Sequence, residues 1–283
     1  KKMMARRGTA QQCAFTLLKS SALLLGVFAV QNGFAATSGA DFLKIGAGAR
    51  PVGMGEAYVA VADDATSAFW NPAGPAEVRA VQVNLMHLSY VEDISYQSAA
   101  MAYPLSTLGV AFASLALLRV APFDSTRPGS GKTPGRSTDI AAGGGWALRP
   151  TRLLAFGLSG QVIRRDLSGY AASSFGAGLG VLIQPSKKLR LGLALANLGA
   201  PIKFLAESDP LPLMTRIGAS FRAVESEDVS LLAAVQADVG AGYSRISLGM
   251  EGAYAHIAFL RAGYVALHDA LGVIPPGTFP PPP

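Results

Sequence analysis

The chain of 283 residues has one cysteine, three histidines and only 15% charged residues. Past residue 40 it also lacks any apolar run of the ~20 residues that a membrane-crossing helix requires. Each shortage excludes something. A single cysteine, Cys13, rules out a disulfide framework. His87, His256 and His268 stand far apart with no metal-ligand spacing, and no Ser/His/Asp grouping stands out. Neither a catalytic centre nor a metal or cofactor is therefore expected. Half of the residues are apolar and the mean hydropathy is +0.34. With no long runs, that hydrophobicity is spread over strand faces, as in a transmembrane β-barrel.

The basic balance is concentrated at the start. Lys1, Lys2, Arg6, Arg7 and Lys19 precede the apolar stretch 21–30, and Gly33 and Ala35 then supply small residues at −3 and −1. This reads as a secretory signal peptide over residues 1–35, cut between Ala35 and Ala36. A membrane anchor is the alternative, but the stretch is short and no stop-transfer pattern follows. Cleavage removes five cations and no anion, lowering the net charge from +6 to +1. It also removes Cys13, which lies ahead of the apolar stretch and not at the cut. A mature chain of that charge gives no support for nucleic-acid binding.

From Val81 onward the pattern has period two. Leu231, Ala233, Val235, Ala237 and Val239 alternate with a face that carries Ser230, Gln236 and Asp238. Ile246, Leu248 and Met250 alternate with Arg245, Ser247, Gly249 and Glu251. Similar segments near 81–90, 94–104, 108–120, 138–148, 153–165, 174–184, 189–197, 213–224 and 256–266 bring the count to about eleven strands. Each has roughly the ~9–11 residues that a tilted strand needs to cross a bilayer. Leu248 and Val235 are expected to face lipid, and Glu251 and Gln236 the lumen, so that Gln236→Arg is expected to cost little. Residues 122–138 and 199–212 read as long external loops. The soluble alternative, a β-sandwich or lipocalin-like barrel, also alternates. Here, however, both faces are rich in Ala, Gly, Leu and Val, with single charges spaced as lumen residues would be.

Three motifs stand out. Gly129-Ser130-Gly131-Lys132-Thr133 looks like a phosphate loop, but Thr126 stands where its first glycine should be and no helix pattern follows. Asp63-Asp64 could attract a hard cation. Without an Asp/Asn ladder, their expected role is to cap a short helix over 65–69. In Trp70-Asn71-Pro72-Ala73-Gly74, proline restricts Asn71, Gly74 permits close backbone approach, and Trp70 suits an interface or plug contact. An ordinary helix-ending turn fits the same spacing.

Gly48-Ala49-Arg50, Met54-Gly55, Asp63-Asp64 and Trp70-Asn71-Pro72-Ala73-Gly74, set in the glycine-rich block from Gly39 to Gly74, resemble the opening of PorV/PorQ-family outer-membrane proteins. These are relatives of the FadL-type transporters and share their Asn-Pro-Ala hatch element. Leu211-Pro212-Leu213-Met214-Thr215-Arg216-Ile217-Gly218 matches a second family element, and the resemblance runs from about Gly39 to about Tyr264. It implies an all-β antiparallel transmembrane barrel of roughly fourteen strands, with hatch residues 36–79, barrel strands 80–267 and an irregular Pro-rich tail 268–283. The count of about eleven and the proline tail depart from that pattern, since proline cannot pair in a central strand. A C-terminally truncated or frame-shifted product, or imperfect closure, is therefore expected.

The function the resemblance implies is that of an accessory to type IX protein secretion in the bacterial outer membrane. Its partners would be membrane lipid and secreted cargo or machinery subunits. The alternative is FadL-like passage of hydrophobic small molecules. A structural barrel is a third reading. A cargo receptor should expose an apolar patch on its outer loops, and a transporter should hold a continuous apolar pocket beside the hatch.

Overall fold

Among the described side chains of the wall strands, outward and inward positions alternate except at a few register shifts. The computed structural model describes residues 38–269 apart from 91–92, 128–129, 205–206, 241–242 and 256. Its strands are β1 (Gln82–Ser89), β2 (Ile94–Pro104), β3 (Val110–Arg127), β4 (Ser130–Leu148), β5 (Leu154–Leu167), β6 (Tyr170–Ile183), β7 (Leu189–Gly199), β8 (Ile202–Phe204), β9 (Glu207–Asp209), β10 (Met214–Glu225), β11 (Val229–Gly240), β12 (Tyr243–Tyr254) and β13 (Ala258–Asp269). All but β8 and β9, which form a separate hairpin, join one 11-stranded sheet in chain order. Every neighbouring pair is antiparallel. This is the meander that the alternating pattern implies.

The sheet is not closed. β1 and β13 are its two edges. β13 extends to Asp269, two residues into the stretch read as tail. Residues 270–283 and the signal segment with Ala35 and Ala36 lie outside the described residues.

One loop expectation is corrected. Residues 122–127 and 130–138 continue β3 and β4 as a paired arm, with Phe123 opposite Gly135 and Ser125 opposite Thr133. β2 pairs with β3 only as far as Val120 and β5 with β4 only to Ser137, so beyond those points the arm's strands pair with each other alone. An arm with two free edges tolerates prolines that a central strand would not. The phosphate-loop look-alike from Ser130 on is therefore strand. The connection over 199–212 likewise contains the β8–β9 hairpin. The arm and this connection mark one rim of the sheet. The turns after β2, β4, β6, β10 and β12 mark the other.

The core lies between the inner face of the sheet and residues 38–80. This plug contains only short helices, Asp41–Lys44, Ala49–Gly53, Ser67–Trp70 and Gly74–Glu77, because Pro51, Pro72, Pro75 and its glycines interrupt anything longer. Many of the largest fully buried side chains are plug residues, among them Met54, Tyr58, Val59, Val61 and Asn71. The outer face is the reverse. Leu85, Leu158, Val162, Phe175, Val235, Leu248 and Tyr264 are all exposed. A soluble sheet would not leave such a face open to water. The apolar side faces outward and the polar side inward, as in a membrane barrel.

Leu248 sits at the middle of β12 and is 50% exposed, whereas Leu260 lies near the β12–β13 turn. Leu248→Arg is expected to destabilise the folded protein in bilayers by ~2–4 kcal/mol and Leu260→Arg by only ~0–1. Denaturant titration of both variants measures this, and equal penalties would contradict a lipid-facing outer surface.

Candidate functional site

The plug backbone rests on the sheet at places where the wall has no side chains. Gly157 and Gly180 are cross-strand partners on β5 and β6, Gly192 and Gly218 on β7 and β10, and Gly249 and Gly263 on β12 and β13. A Cβ at Gly157 would lie 1.8 Å from the Pro72 carbonyl oxygen. At Gly180 it would lie 2.1 Å from Asn71 Oδ1, and at Gly192 2.3 Å from the Val59 oxygen. At Gly249 it would lie 2.4 Å from the Met54 oxygen, and at Gly263 2.0 Å from the Gly55 nitrogen. Three glycine pairs thus form a seat against which the plug backbone packs directly, a close approach that any larger residue blocks. Gly55 itself has φ +59° beside Tyr264, a conformation glycine adopts at little cost.

Side chains then fasten the seated plug. Asn71 donates from Nδ2 to the carbonyl oxygens of Val59 at 2.8 Å and Val181 at 3.3 Å, and its Oδ1 accepts the Ala73 N–H at 3.0 Å. Gln236 on β11 is 1% exposed. Its Oε1 accepts the N–H groups of Tyr58 at 2.9 Å and Val59 at 2.6 Å, and its Nε2 donates to Asp238 Oδ1 at 2.7 Å. The expectation that Gln236→Arg costs little is thus corrected. The residue does face the lumen, but the lumen is filled by the plug, and its loss strands two buried backbone donors.

Arg50 is the centre of the charge network. Its Nε and Nη2 reach the Glu251 carboxylate at 2.8 and 2.9 Å, a two-point guanidinium–carboxylate pairing. Its Nη1 donates to Asp63 Oδ1 at 2.5 Å, Tyr58 Oη at 3.0 Å and Asp64 Oδ2 at 3.1 Å. Arg261 on β13 donates to Glu251 Oε2 at 2.6 Å. Burial raises the Asp64 carboxyl, but hydrogen bonds from Thr66 and Tyr58 and the charge of Arg50 outweigh it and hold it below the usual carboxylate range. Burial, followed by the Asp63 carboxylate, pushes the Tyr58 phenol well above its ordinary value. A second network links Arg245 to Asp238 and to Glu56. Toward the turn rim, Arg190 donates to the oxygens of Val61 at 3.1 Å and Ala62 at 3.2 Å, and Arg149 pairs with Glu77.

Most of the residues singled out by sequence come together here. Gly48 leads into the Ala49–Gly53 helix, where a Cβ would meet Thr66 Cγ2 at 2.9 Å. Ala49 opens that helix and Arg50 is its second residue. Met54 and Gly55 lie against Gly249 and Gly263. Gly74 packs between Ser67 and Ala62. Trp70 is a plug contact: its Nε1 donates to the Ala47 oxygen at 2.8 Å, and the Arg216 guanidinium lies 5.0 Å from its ring centroid. The capping role expected of Asp63 and Asp64 is met by Asp64 alone, in the turn ahead of the helix: its Oδ1 accepts the Thr66 N–H at 2.8 Å and its N–H donates to Ser67 Oγ at 3.3 Å. The helix Ser67–Trp70 itself has Thr66 as N-cap with no side-chain cap bond. Both carboxylates also pair with Arg50. Among the described residues no group of three or more His, Cys, Asp and Glu is placed to hold a metal. Gln236, Glu251, Asp238, Arg216 and the glycine pairs were missed as site residues. Their signal was present as polar residues and glycines at inward positions of period-two strands.

A cavity of about 70 Å³ lies between plug and wall. The plug contributes residues 43–47, 68–70 and Pro72. The wall contributes among others Tyr96, Ser114, Ala116, Ala141, Ser159, Gln161, Asn197 and Arg216. Gln161 Nε2 donates to Asn197 Oδ1 at 2.8 Å. Arg216 donates from Nη1 to the oxygens of Phe69 at 2.9 Å and Trp70 at 3.1 Å. Its Nε is buried without a hydrogen-bond partner among the described residues.

The fold is similar to that of solved structures. A crystal structure of the Pseudomonas putida toluene transporter TodX superposes with TM-score 0.54 at 13% identity, over 79% of this chain and 84% of that one. A second crystal structure of the P. putida toluene transporter TodX gives TM-score 0.49 at 13% identity, over 79% and 83%. A TodX deltaS2S3 mutant, a monoaromatic hydrocarbon channel, gives 0.49 at 11% identity, over 76% and 84%. No family model matches the sequence, and no curated protein matches it. At this identity the likeness is one of fold. It supports the wider FadL-like barrel architecture implied by the sequence resemblance.

Gly180→Ala is expected to loosen the plug by ~1–3 kcal/mol through overpacking. At Gly160 on the same sheet, an added Cβ meets nothing within 4 Å, so Gly160→Ala is expected to leave the plug in place. Protease cleavage within residues 38–80 of each variant distinguishes them. Equal protection would contradict the seat.

Proposed function

We propose that this chain is a non-catalytic outer-membrane channel for hydrophobic small molecules, whose plug controls passage. The observation that carries this is the cavity between plug and wall, where Phe69, Tyr96, Ala116 and Ala141 stand beside Lys44, Ser114, Ser159, Gln161, Asn197 and Arg216. Apolar and aromatic surface together with polar groups able to orient a ligand is the form of a small-molecule site. At about 70 Å³ the cavity is smaller than the ~150 Å³ apolar cavity that accepts benzene. A hydrocarbon would therefore enter only as the plug shifts. The transport named for TodX supports the same reading. The secretion-accessory role rests on the sequence resemblance alone, and the cavity favours transport over it.

Ala116 and Ala141 are cross-strand partners that both face the cavity. In Gram-negative cells carrying the chain in the outer membrane, uptake of radiolabelled toluene is expected to rise. The Ala116→Phe/Ala141→Phe double variant, folded and heat-modifiable, is expected to lose that gain. Uptake unaffected by the chain, or equal in the folded double variant, would contradict a channel. Loss of protein export on removing the chain, with toluene uptake unchanged, would favour the secretion reading.

A further inference from the structure

The outer face of β3 to β5 changes character in one step toward the arm rim. Cross-strand register sets its outward rows. Leu148 lies level with Phe156, Trp146 with Leu158, Ala142 with Leu115 and Val162, and Ile140 with Leu117 and Arg164. The next row holds Thr138, Arg119 and Asp166, and the row beyond it Arg136. From Leu148 to Ile140 is eight residues along β4, which at ~3.3 Å each on strands tilted ~35–45° makes on the order of 20 Å of the ~25 Å apolar band of a membrane barrel. Arg164 stands in the last row of the band, and Arg119 and Arg136 lie beyond it.

Arg119, Arg136 and Arg164 are all exposed, and none has an ion-pair or hydrogen-bond partner for its guanidinium among the described residues. Asp166, the acid in the same patch, accepts the Gly169 N–H through Oδ1 at 3.3 Å, leaving three cations to one anion. The clustering is confined to these strands. Arg165, Arg190, Arg216, Arg222, Arg245 and Arg261 alternate to the inner face, where most of them pair with plug or lumen groups. Among the described residues of the wall, no other strand places a Lys or Arg outward.

We infer that Arg119, Arg136 and Arg164 form a binding site for the phosphate groups of a lipid in the leaflet at the arm rim. Neighbouring strands stand ~4.8 Å apart and the three arginines occupy successive rows, so their Cα positions spread over about 14 Å at most, a span that long arginine side chains can close onto the phosphates of one lipid headgroup. Guanidinium is suited to phosphate because it offers paired N–H donors in a plane. The apolar rows just below, with Leu115, Val162 and Phe175, take the acyl chains of the same lipid. An arginine that merely reached for water at the membrane edge would have no reason to be grouped with two others. The site rests on the membrane-barrel reading and is separate from the plug and its cavity.

The test uses the full chain in mixed micelles holding diphosphorylated lipid A and its dephosphorylated form in equal amounts, with bound lipid counted by native mass spectrometry. The chain is expected to retain the phosphorylated form preferentially. The Arg119→Gln/Arg136→Gln/Arg164→Gln variant is expected to lose that preference, Arg164→Gln alone to weaken it, and Arg222→Gln at the opposite rim to keep it. Inorganic phosphate at the lipid's concentration is expected not to displace it. An unchanged preference in the folded triple variant overturns the site. Displacement by inorganic phosphate shows a soluble-anion site and overturns the lipid assignment. A chain that fails to enter micelles or bilayers at all refutes the barrel reading, whereas insertion without phosphate preference refutes this site alone.

Discussion

The structure depends on how closely an irregular peptide segment can lie against a β-sheet. A plug of short turns carries many backbone N–H and C=O groups that helices or ladders would otherwise satisfy, and burying them unpaired is costly. The three cross-strand glycine pairs remove the side chains that would hold the plug off the wall. At that distance the wall can supply the missing partners. Gln236 accepts two plug N–H groups, and Arg190, Arg216 and Ser220 donate to plug carbonyls. The glycines are thus what makes the side-chain network possible.

The charges follow from the same constraint. An arginine buried in a lumen needs carboxylates close by, since removing it from water without partners is unfavourable. Arg50, on the plug, meets Glu251 on the wall and Asp63 and Asp64 on the plug itself, so its bonds join the two bodies. Arg245 does the same from the wall, meeting Glu56 of the plug and Asp238 beside it. Interactions of this kind fix a position strongly while intact and release it once one partner is lost. That behaviour suits the proposed channel, in which the plug would have to move for a ligand to pass.

Much of the wall was legible from sequence because its cause is local. Each strand alternates between a lipid side and a lumen side, and all eleven expected segments are strands in chain order. Leu248 and Val235 face outward and Glu251 and Gln236 inward, as their alternation implies. The arm of β3 and β4 was not legible, because Pro122, Pro134 and the glycines between them read as loop. They are tolerated where the two strands pair only with each other. The partners of the plug were not legible either. Asp63 and Asp64 read only as helix caps, a role Asp64 does fill, because the residue that pairs with both, Arg50, lies well upstream. The glycines of the seat looked like weak points in strands, since their reason is a backbone that packs on them from more than eighty residues away in sequence.

The claim that passage requires the plug to leave its seat can be tested by fastening it there. A Cβ on Gly53 would lie 3.4 Å from the Cβ of Arg261 on β13, close to the ~3.5–4.5 Å spacing of a disulfide. With Gly53→Cys and Arg261→Cys combined, toluene uptake by cells carrying the oxidised protein is expected to fall to the level of cells without it and to return on reduction. Equal uptake in the oxidised and reduced states, with the disulfide shown to have formed, would contradict the account.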